Sequence, residues 1–459
     1  MTPEETLDYL YRRFPMFQTV GKAGYKPGLE AIFALDSHYG FPSSQFRCIH
    51  VAGTNGKGSV SHMLASILQE AGFKTGLFTS PHLKDFRERI RINGQMISNQ
   101  EVVSFVELGR TFFEALQPSF FEVTTAMAFH HFAQHGVDVA VIETGLGGRL
   151  DSTNIVCPEL TLVTNIGWDH MAYLGDTLPK IAFEKAGIMK AGVPMVLGEP
   201  DPEVLEVFVA RAVALHSELI AATAHFSLLS DHITEEGTRQ FCIAPAGNKE
   251  APFVLEVDLA GECQKKNIIT LCAALDALRK QPLFAKIFAS ELTQTAKASA
   301  SELTQTSGEA PSYFGPVVAR GLRHAALRTG LMGRWQLLGK EPLIVADTAH
   351  NRDGLQLSLA QAAATPHRRL RFVIGFMADK EIEAILPLFP VEADYYFTKA
   401  PLPRSLNPET LRELALTHQL RGKVFDTVQQ ALEQAKADAH ADDLIYVGGS
   451  TFVVAEALP

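Results

Sequence analysis

The 459-residue sequence predicts an α/β protein built from parallel sheets with helices on both faces. Three observations carry that reading. Short apolar, β-branched runs alternate with amphipathic helical stretches along most of the chain. The first such run ends in a glycine-rich turn that opens directly onto a helix. The alternation pauses around residue 330 and restarts at 343, which predicts two domains, 1–330 and 331–459. The length agrees with a prior of two to three domains at about 150 residues each.

In chain order, 46–52 (FRCIHVA) reads as the first strand, followed by the turn GTNGKGS at 53–59. Val60, Met63, Leu64, Ile67, Leu68 and Ala71 then recur at helical spacing until Gly72. Strands are predicted at 75–80, 138–143 and 160–166, with helices over 100–116 and 121–135. Between 220 and 260 three short β-like runs alternate with turn residues, which predicts a small antiparallel appendage on the first domain. A helix resumes at 267–280. The heptapeptide ASELTQT occurs at 289–295 and again at 300–306, so 285–312 reads as an exposed, mobile insertion from a local duplication. A helix over 315–330 runs into Gly330 and Gly333, placing a hinge at 329–334. Strands at 343–347, 371–376, 395–399, 423–426 and 444–449, each followed by a helical segment, predict a second, Rossmann-like domain.

Composition narrows the function. Hydrophobic residues make up 46% and charged residues 20%, which excludes a disordered or fibrous chain. The 41 basic and 51 acidic residues leave a net charge of −10, which argues against a nucleic-acid partner but leaves room for a local basic pocket. The five cysteines are odd in number and form no C-x-x-C pair, as in a reduced intracellular protein. The N-terminus carries three acids, Glu4, Glu5 and Asp8, before any basic residue, and no run approaches the roughly 18 apolar residues of a membrane span. A cytoplasmic protein without a membrane partner is expected.

Four places carry chemistry. Gly53-Thr54-Asn55-Gly56-Lys57-Gly58-Ser59 lies between a strand and a helix start. Glycines let backbone N–H groups face phosphate oxygens, the helix end adds positive potential, and a lysine reaches a phosphate. The usual P-loop spacing is missed, since Val51 takes the place of the first glycine and Gly58 that of the Ser/Thr. Glu143 ends a parallel strand, at the edge where ligands bind, as a hard oxygen ligand for Mg²⁺. Asp169-His170 follows another strand on the same edge. Glu184 and Lys185, taken alone, read as a charged helix face.

The motifs HVAGTNGKGSV, TSPHL with FRERI, IETGLGGRLDSTN, WDHMAYLGDTL, IAFEKAGI, GRW, DTAHN and VGGSTF occur in this order from about residue 47 to 455. Together they resemble the folylpolyglutamate synthase/dihydrofolate synthase family, the folate branch of the Mur-type amide ligases. Thr144 stands where that family more often has Val, Thr348 where Gly or Ala is common, and 285–312 matches no family motif. The resemblance implies a P-loop-type Mur ligase central domain with its β appendage, followed by a Rossmann-like Mur ligase C-terminal domain. It also implies ATP-dependent joining of L-glutamate to dihydropteroate or a reduced folate through an acyl phosphate, giving ADP and phosphate.

Residue by residue, the resemblance implies that Lys57 and the loop amides bind the β- and γ-phosphates. Ser59, Ser80 and Glu143 would hold one Mg²⁺, and Glu143 and His170 a second. Lys185 matches a lysine carried as its CO₂ adduct. Gln264, Asn267, Arg334 and Asp347 would meet the nucleotide, and His350 would lie near the reaction centre. Phe121 and Asp151 would serve the pterin side of the substrate. The resemblance suggests a monomer. Two alternatives remain at this point. A ligase acting on a UDP-linked cell-wall precursor would need a UDP-binding domain before the loop, but the loop strand starts by residue 46. A nucleotide-binding regulator would have no use for Lys185 or His350.

Overall fold

The computed structural model describes residues 1–14, 28–248, 250–288, 313–378, 380 and 382–459. The first sheet contains β1 (Arg47–Ala52), β2 (Thr75–Phe78), β3 (Ile90–Ile92), β4 (Gln95–Met96), β5 (Val139–Glu143), β6 (Leu160–Val163), β7 (Met195–Leu197) and β8 (Leu219–Ala221). Their spatial order is β4-β3-β2-β5-β1-β6-β7-β8. The strands from β2 to β8 in that order run parallel, and β3 and β4 form an antiparallel edge. Val51 pairs with Glu143 and Phe78 with Ile142, so the carboxyl ends of β1, β2 and β5 finish side by side. The loops that follow them therefore crowd one edge of the sheet.

Alternation along the strands divides the core. Ile49, Val51, Leu77, Val139 and Val141 face the helices Lys57–Glu70 and Gln264–Arg279. Cys48, Phe78, Ala140 and Ile142 face the helices Asn99–Leu116 and Phe120–Gln134. The helix Lys57–Glu70 is buried at every position from Gly58 to Leu68, because Gln264–Arg279 and Pro316–Arg323 cover the side that the sheet does not. As the sequence predicts, three antiparallel strands form the appendage: β9 (Phe226–Ile233), β10 (Arg239–Pro245) and β11 (Phe253–Val257). Phe241, Ile243, Leu255 and Val257 of its inner face join the core around Gln264–Arg279.

The second sheet contains β12 (Gln336–Lys340), β13 (Leu343–Ala346), β14 (Leu370–Ile374), β15 (Asp394–Phe397), β16 (Gly422–Val424) and β17 (Leu444–Gly448), in the order β12-β13-β17-β14-β15-β16. It is parallel except for β12. The five strands expected there are all present.

The differences from the sequence reading have local causes. β3, β7 and β8 have three residues each and β4 two, too few for a visible period. β12 is only partly buried and reads as a polar linker. The helix expected over 315–330 is two helices, Pro316–Arg323 and Ala325–Thr329, broken where His324 has φ −127°. A 3₁₀ turn over Pro282–Ile287 runs into the start of the expected 285–312 insertion, while 289–312, including both ASELTQT copies, lie outside the described residues. Among the described residues, no helix is long and apolar enough to cross a membrane.

At Gly321 the helix Pro316–Arg323 crosses Lys57–Glu70 so closely that a Cβ would stand 2.8 Å from Ile67 Cα. The neighbouring atom is backbone and cannot turn away. Gly321→Ala is therefore expected to destabilise the fold by about 1–3 kcal/mol, read as a lowered denaturation midpoint.

Candidate active site

The glycine-rich turn depends on its glycines for conformation and for space. Gly53 and Gly56 have φ of +145° and +85°. A Cβ on Gly53 would lie 1.9 Å from Thr164 Oγ1, and one on Gly56 2.2 Å from Asn267 Oδ1. The segment after β6 braces the turn. Thr54 N donates to Asn165 O (3.0 Å), Asn55 N to Asn165 Oδ1 (2.8 Å), and Thr164 Oγ1 to Asn55 O (2.5 Å). Lys57 Nζ lies over the turn, donating to the carbonyls of Gly53 (2.9 Å) and Thr54 (3.1 Å). The helix that starts at Lys57 has no side-chain cap, which leaves its positive end for an anion.

Glu143 sits at the end of β5 and is 3% exposed. Its Oε2 accepts from Ser80 N at 3.1 Å. Burial pushes its pKa up, against the opposing pull of Lys57, the Ser80 amide, Arg334 and Arg89. Gly58 is within reach of two of these charges, since a Cβ there would stand 3.9 Å from Glu143 Oε2 and 3.8 Å from Arg334 Nη2. Ser59 is buried, and its Oγ accepts from Gln264 Nε2 at 3.3 Å. Gln264 Oε1 in turn accepts from Asn267 Nδ2 at 2.8 Å. Ser59, Ser80 and Glu143 together offer two hydroxyls and a desolvated carboxylate, a hard donor set that suits Mg²⁺.

Lys185, on the helix Leu178–Ala186, is 4% exposed rather than on a solvated face. Its Nζ donates to Gly53 O at 2.9 Å. Burial and then the Lys57 charge bring its pKa down to about 7, with Asp169 and Asp151 opposing.

Residues of the second sheet face this edge. Asp347, just past β13, is buried, and its oxygens accept from Trp335 N (2.8 Å) and Ala349 N (2.9 Å). Burial raises its pKa, with Arg334 the main opposing charge. Asp347 thus shapes the segments carrying Arg334 and His350. His350 Nδ1 lies 3.0 Å from Thr348 O, and its Nε2 lies 3.8 Å from Asp169 Oδ2. Asn351 and Asn55 exchange amide hydrogen bonds of 2.9 and 3.3 Å.

Asp169 is the meeting point. It accepts from Lys380 Nζ (3.2 Å), Asn351 Nδ2 (3.4 Å) and the His170 backbone N (2.9 Å). Burial alone would raise its pKa, but the nearby His350 imidazole and the charges of His170 and Lys380 hold it well below the usual carboxylate range. His170 has φ +52° and is brought down to about 4, by burial first, with Asp169 opposing and Lys380, His350 and Lys185 adding to it.

A cleft of about 570 Å³ joins these groups, lined by residues 53–59, Ser80, Glu143, His170, Lys185, Asn267, Arg334, Asp347 and His350. Its lining includes neither Phe121 nor Asp151. Phe121 packs beneath Gly145, where a Cβ would meet its ring at 2.5 Å. Asp151 Oδ2 accepts from Gly145 N and Leu146 N, both at 2.8 Å, and Oδ1 from Thr153 N at 3.0 Å. Both residues build the GLGG turn from below. The sequence names Asp169 only beside His170, with no role of its own, and gives no site role to Asn351 or Lys380. Asp169 carries the strand-end signal that pointed to Glu143. Asn351 follows DTAHN's histidine directly, and Lys380 has no local signal.

Comparisons with known proteins agree with this geometry. The Mur ligase middle domain family matches residues 51–275, and the Mur ligase glutamate ligase domain family matches 333–451. The chain is 31% identical over 459 residues to the dihydrofolate synthase/folylpolyglutamate synthase of Bacillus subtilis, covering 95% of each. It is 33% identical over 467 residues to a probable bifunctional folylpolyglutamate synthase/dihydropteroate synthase of Haloferax volcanii, whose length it spans by half (all of this chain, 50% of that one). Escherichia coli FolC in complex with DHPP and ADP superposes with a TM-score of 0.76 at 29% identity, covering 100% and 97% of the two chains. The Yersinia pestis bifunctional enzyme with AMPPNP and Mn ion superposes with a TM-score of 0.76 at 27% identity, also covering 100% and 97%. These folate relatives favour neither the cell-wall nor the regulator alternative. A Gly-rich turn, a strand-end carboxylate and a glutamate ligase domain that meet at one cleft thus find their match along the whole chain: the protein belongs to the folylpolyglutamate synthase/dihydrofolate synthase family of ATP-dependent glutamate ligases.

Proposed function

We propose that the cleft joins L-glutamate to dihydropteroate, a reduced folate, or both, converting ATP to ADP and phosphate. The observation that carries this reading is the Gly-rich turn with Lys57 and buried Glu143 on one wall, faced by Arg334 and His350 on the other. A carboxylate is a poor electrophile with a poor leaving group, so the γ-phosphoryl group first passes to it. The glutamate amine then attacks the acyl phosphate and phosphate leaves. In phosphoryl transfer the protein mainly positions reactants and neutralises charge. The turn amides, the uncapped helix end, Lys57 and Arg334 are the groups that do so here. Gln264 and Asn267 bind the nucleotide from the far side, and Asp347 holds the Arg334 segment against it.

Ser59, Ser80 and Glu143 would hold one Mg²⁺, and Glu143 with His170 a second. Bound there, magnesium supplies Lewis acidity to the phosphate oxygens. The Yersinia pestis structure with AMPPNP and Mn ion supports a divalent cation beside the nucleotide. Lys185 takes up CO₂ in this reading: its neutral amine attacks the CO₂ carbon, and N–C bond formation with loss of one proton from nitrogen leaves a carbamate anion beside the cations. Its burial, which favours the neutral amine, supports that step. Phe121 and Asp151 support the acceptor subsite through the turn they shape.

Residues 1–330 and 331–459 act as two bodies in this account, hinged at Gly330 and Gly333, both with φ +70°. Asp169 with Lys380, and Asn55 with Asn351, latch them shut. Closure excludes water and protects the acyl phosphate. The chain works as a cytoplasmic monomer on small molecules, and its net charge of −10 offers nucleic acid no attraction.

Phosphate release from Mg-ATP and L-glutamate, measured with dihydropteroate or a tetrahydrofolate and with product mass, tests the reading. Product heavier by one glutamyl unit is expected with at least one acceptor, and release indifferent to both would overturn it. Lys185→Ala should abolish ligation, whereas Lys185→Glu, which restores an anion, should regain part of it in the same assay. Asp169→Asn leaves Lys380 without its charged partner across the cleft. A loss of about 2 kcal/mol or more in transition-state stabilisation is expected, roughly thirtyfold in kcat/KM, together with a more open mean shape in solution scattering.

A further inference from the structure

A second cluster of ligating side chains lies far from the cleft. His131 and His135 stand one turn apart at the end of the helix Phe120–Gln134, with His135 as its C-cap. Glu101 reaches them from the first turn of Asn99–Leu116. One donor atom from each of the three lies within 4.8 Å of the other two. A single oxygen, Glu101 Oε1, is 2.6 Å from His135 Nε2 and 3.4 Å from His131 Nδ1. The other oxygen, Oε2, accepts from Ser98 N (2.9 Å) and Ser98 Oγ (2.6 Å). That capping interaction fixes the carboxylate and turns Oε1 toward the imidazoles, as an outer-shell partner does for a metal ligand.

We propose that Glu101, His131 and His135 bind one divalent transition cation of the zinc type. Two imidazoles and a carboxylate form a borderline donor set with three protein ligands, leaving a fourth position to water. Mg²⁺, which prefers oxygen alone, does not match it. At metal–ligand distances of about 2.0–2.1 Å, tetrahedral donors stand about 3.3 Å apart. The His131–Glu101 spacing already has that value. His135 is exposed, so its ring is free to retreat from its present hydrogen bond. The cation takes the place of the direct His135–Glu101 hydrogen bond.

The surroundings are compatible. His130 turns the other way, its ring 4.9 Å from that of Tyr39 and 5.6 Å from that of Phe105, so it is not a fourth ligand. Lys74 Nζ donates to the His135 carbonyl and opposes the cation electrostatically without occupying its place. Bound metal would tie two helices together on one face of the first sheet. His135 shortly precedes β5, whose opposite end carries Glu143. The site therefore belongs to the edge of the sheet away from the cleft.

The test uses the full-length protein, stripped with chelator and kept in excess Mg²⁺. Co²⁺ is titrated and followed by the visible absorption of four-coordinate cobalt, then displaced with Zn²⁺. One equivalent with that absorption is expected, along with a rise in the thermal midpoint on adding Zn²⁺. His135→Ala, an exposed position, should lose both signals, and its Zn²⁺ affinity should fall by more than about tenfold, with Mg-dependent ligation unchanged. Glu101→Gln is the second variant and should lose the absorption. Cobalt absorption that survives in both variants would place the metal elsewhere and overturn the proposal, as would failure of the unmodified protein to bind an equivalent.

Discussion

Two lysine side chains, Lys57 and Lys185, donate through Nζ to one backbone carbonyl, that of Gly53. Much of the molecule is arranged to make that convergence possible. Gly53 reaches its conformation only because it lacks a Cβ, and Thr164 fills the space that a Cβ would need. The helix Leu178–Ala186 brings Lys185 in from one side and the turn brings Lys57 from the other. Arg334 adds a third basic group beside Glu143. Basic groups clustered at a glycine-rich turn favour an anion between the walls, the charge that a polyphosphate carries.

Asp169 performs the complementary task. Its carboxylate belongs to the first sheet, while Lys380, Asn351 and His350 come from the second. A single carboxylate therefore links the two sheets across the cleft. Asp347 works inside the second half, where it ties two segments of one loop region together through backbone amides.

Local chemistry was readable in the sequence where it repeats or punctuates. The strand before the turn, the turn's glycines and the following helix leave a clear pattern, and Glu143 and His170 could be located from their place after parallel strands. Tertiary facts were not readable. Lys185 looks like part of a solvated helix face, and its burial is decided by the strand edge against which that helix packs. Lys380 enters the site from a loop in the other sheet. Asp151 stands out as an acid near glycines and Asp347 through the family resemblance, but neither signal shows that their oxygens are occupied by backbone amides. The strands β7 and β8 are too short to show a period, and they extend the sheet because β6 offers β7 an edge and β7 offers one to β8.

The helix that carries Lys57 has no solvent-facing side from Gly58 to Leu68. Its neighbours leave it no room to slide or rotate, as the contact at Gly321 illustrates. The turn at its N-terminus is thus held in place before any ligand arrives, and an anion bound there would meet it without having to order it. Substitutions along this helix have almost no room, so change is more easily accommodated in the less confined loops around it.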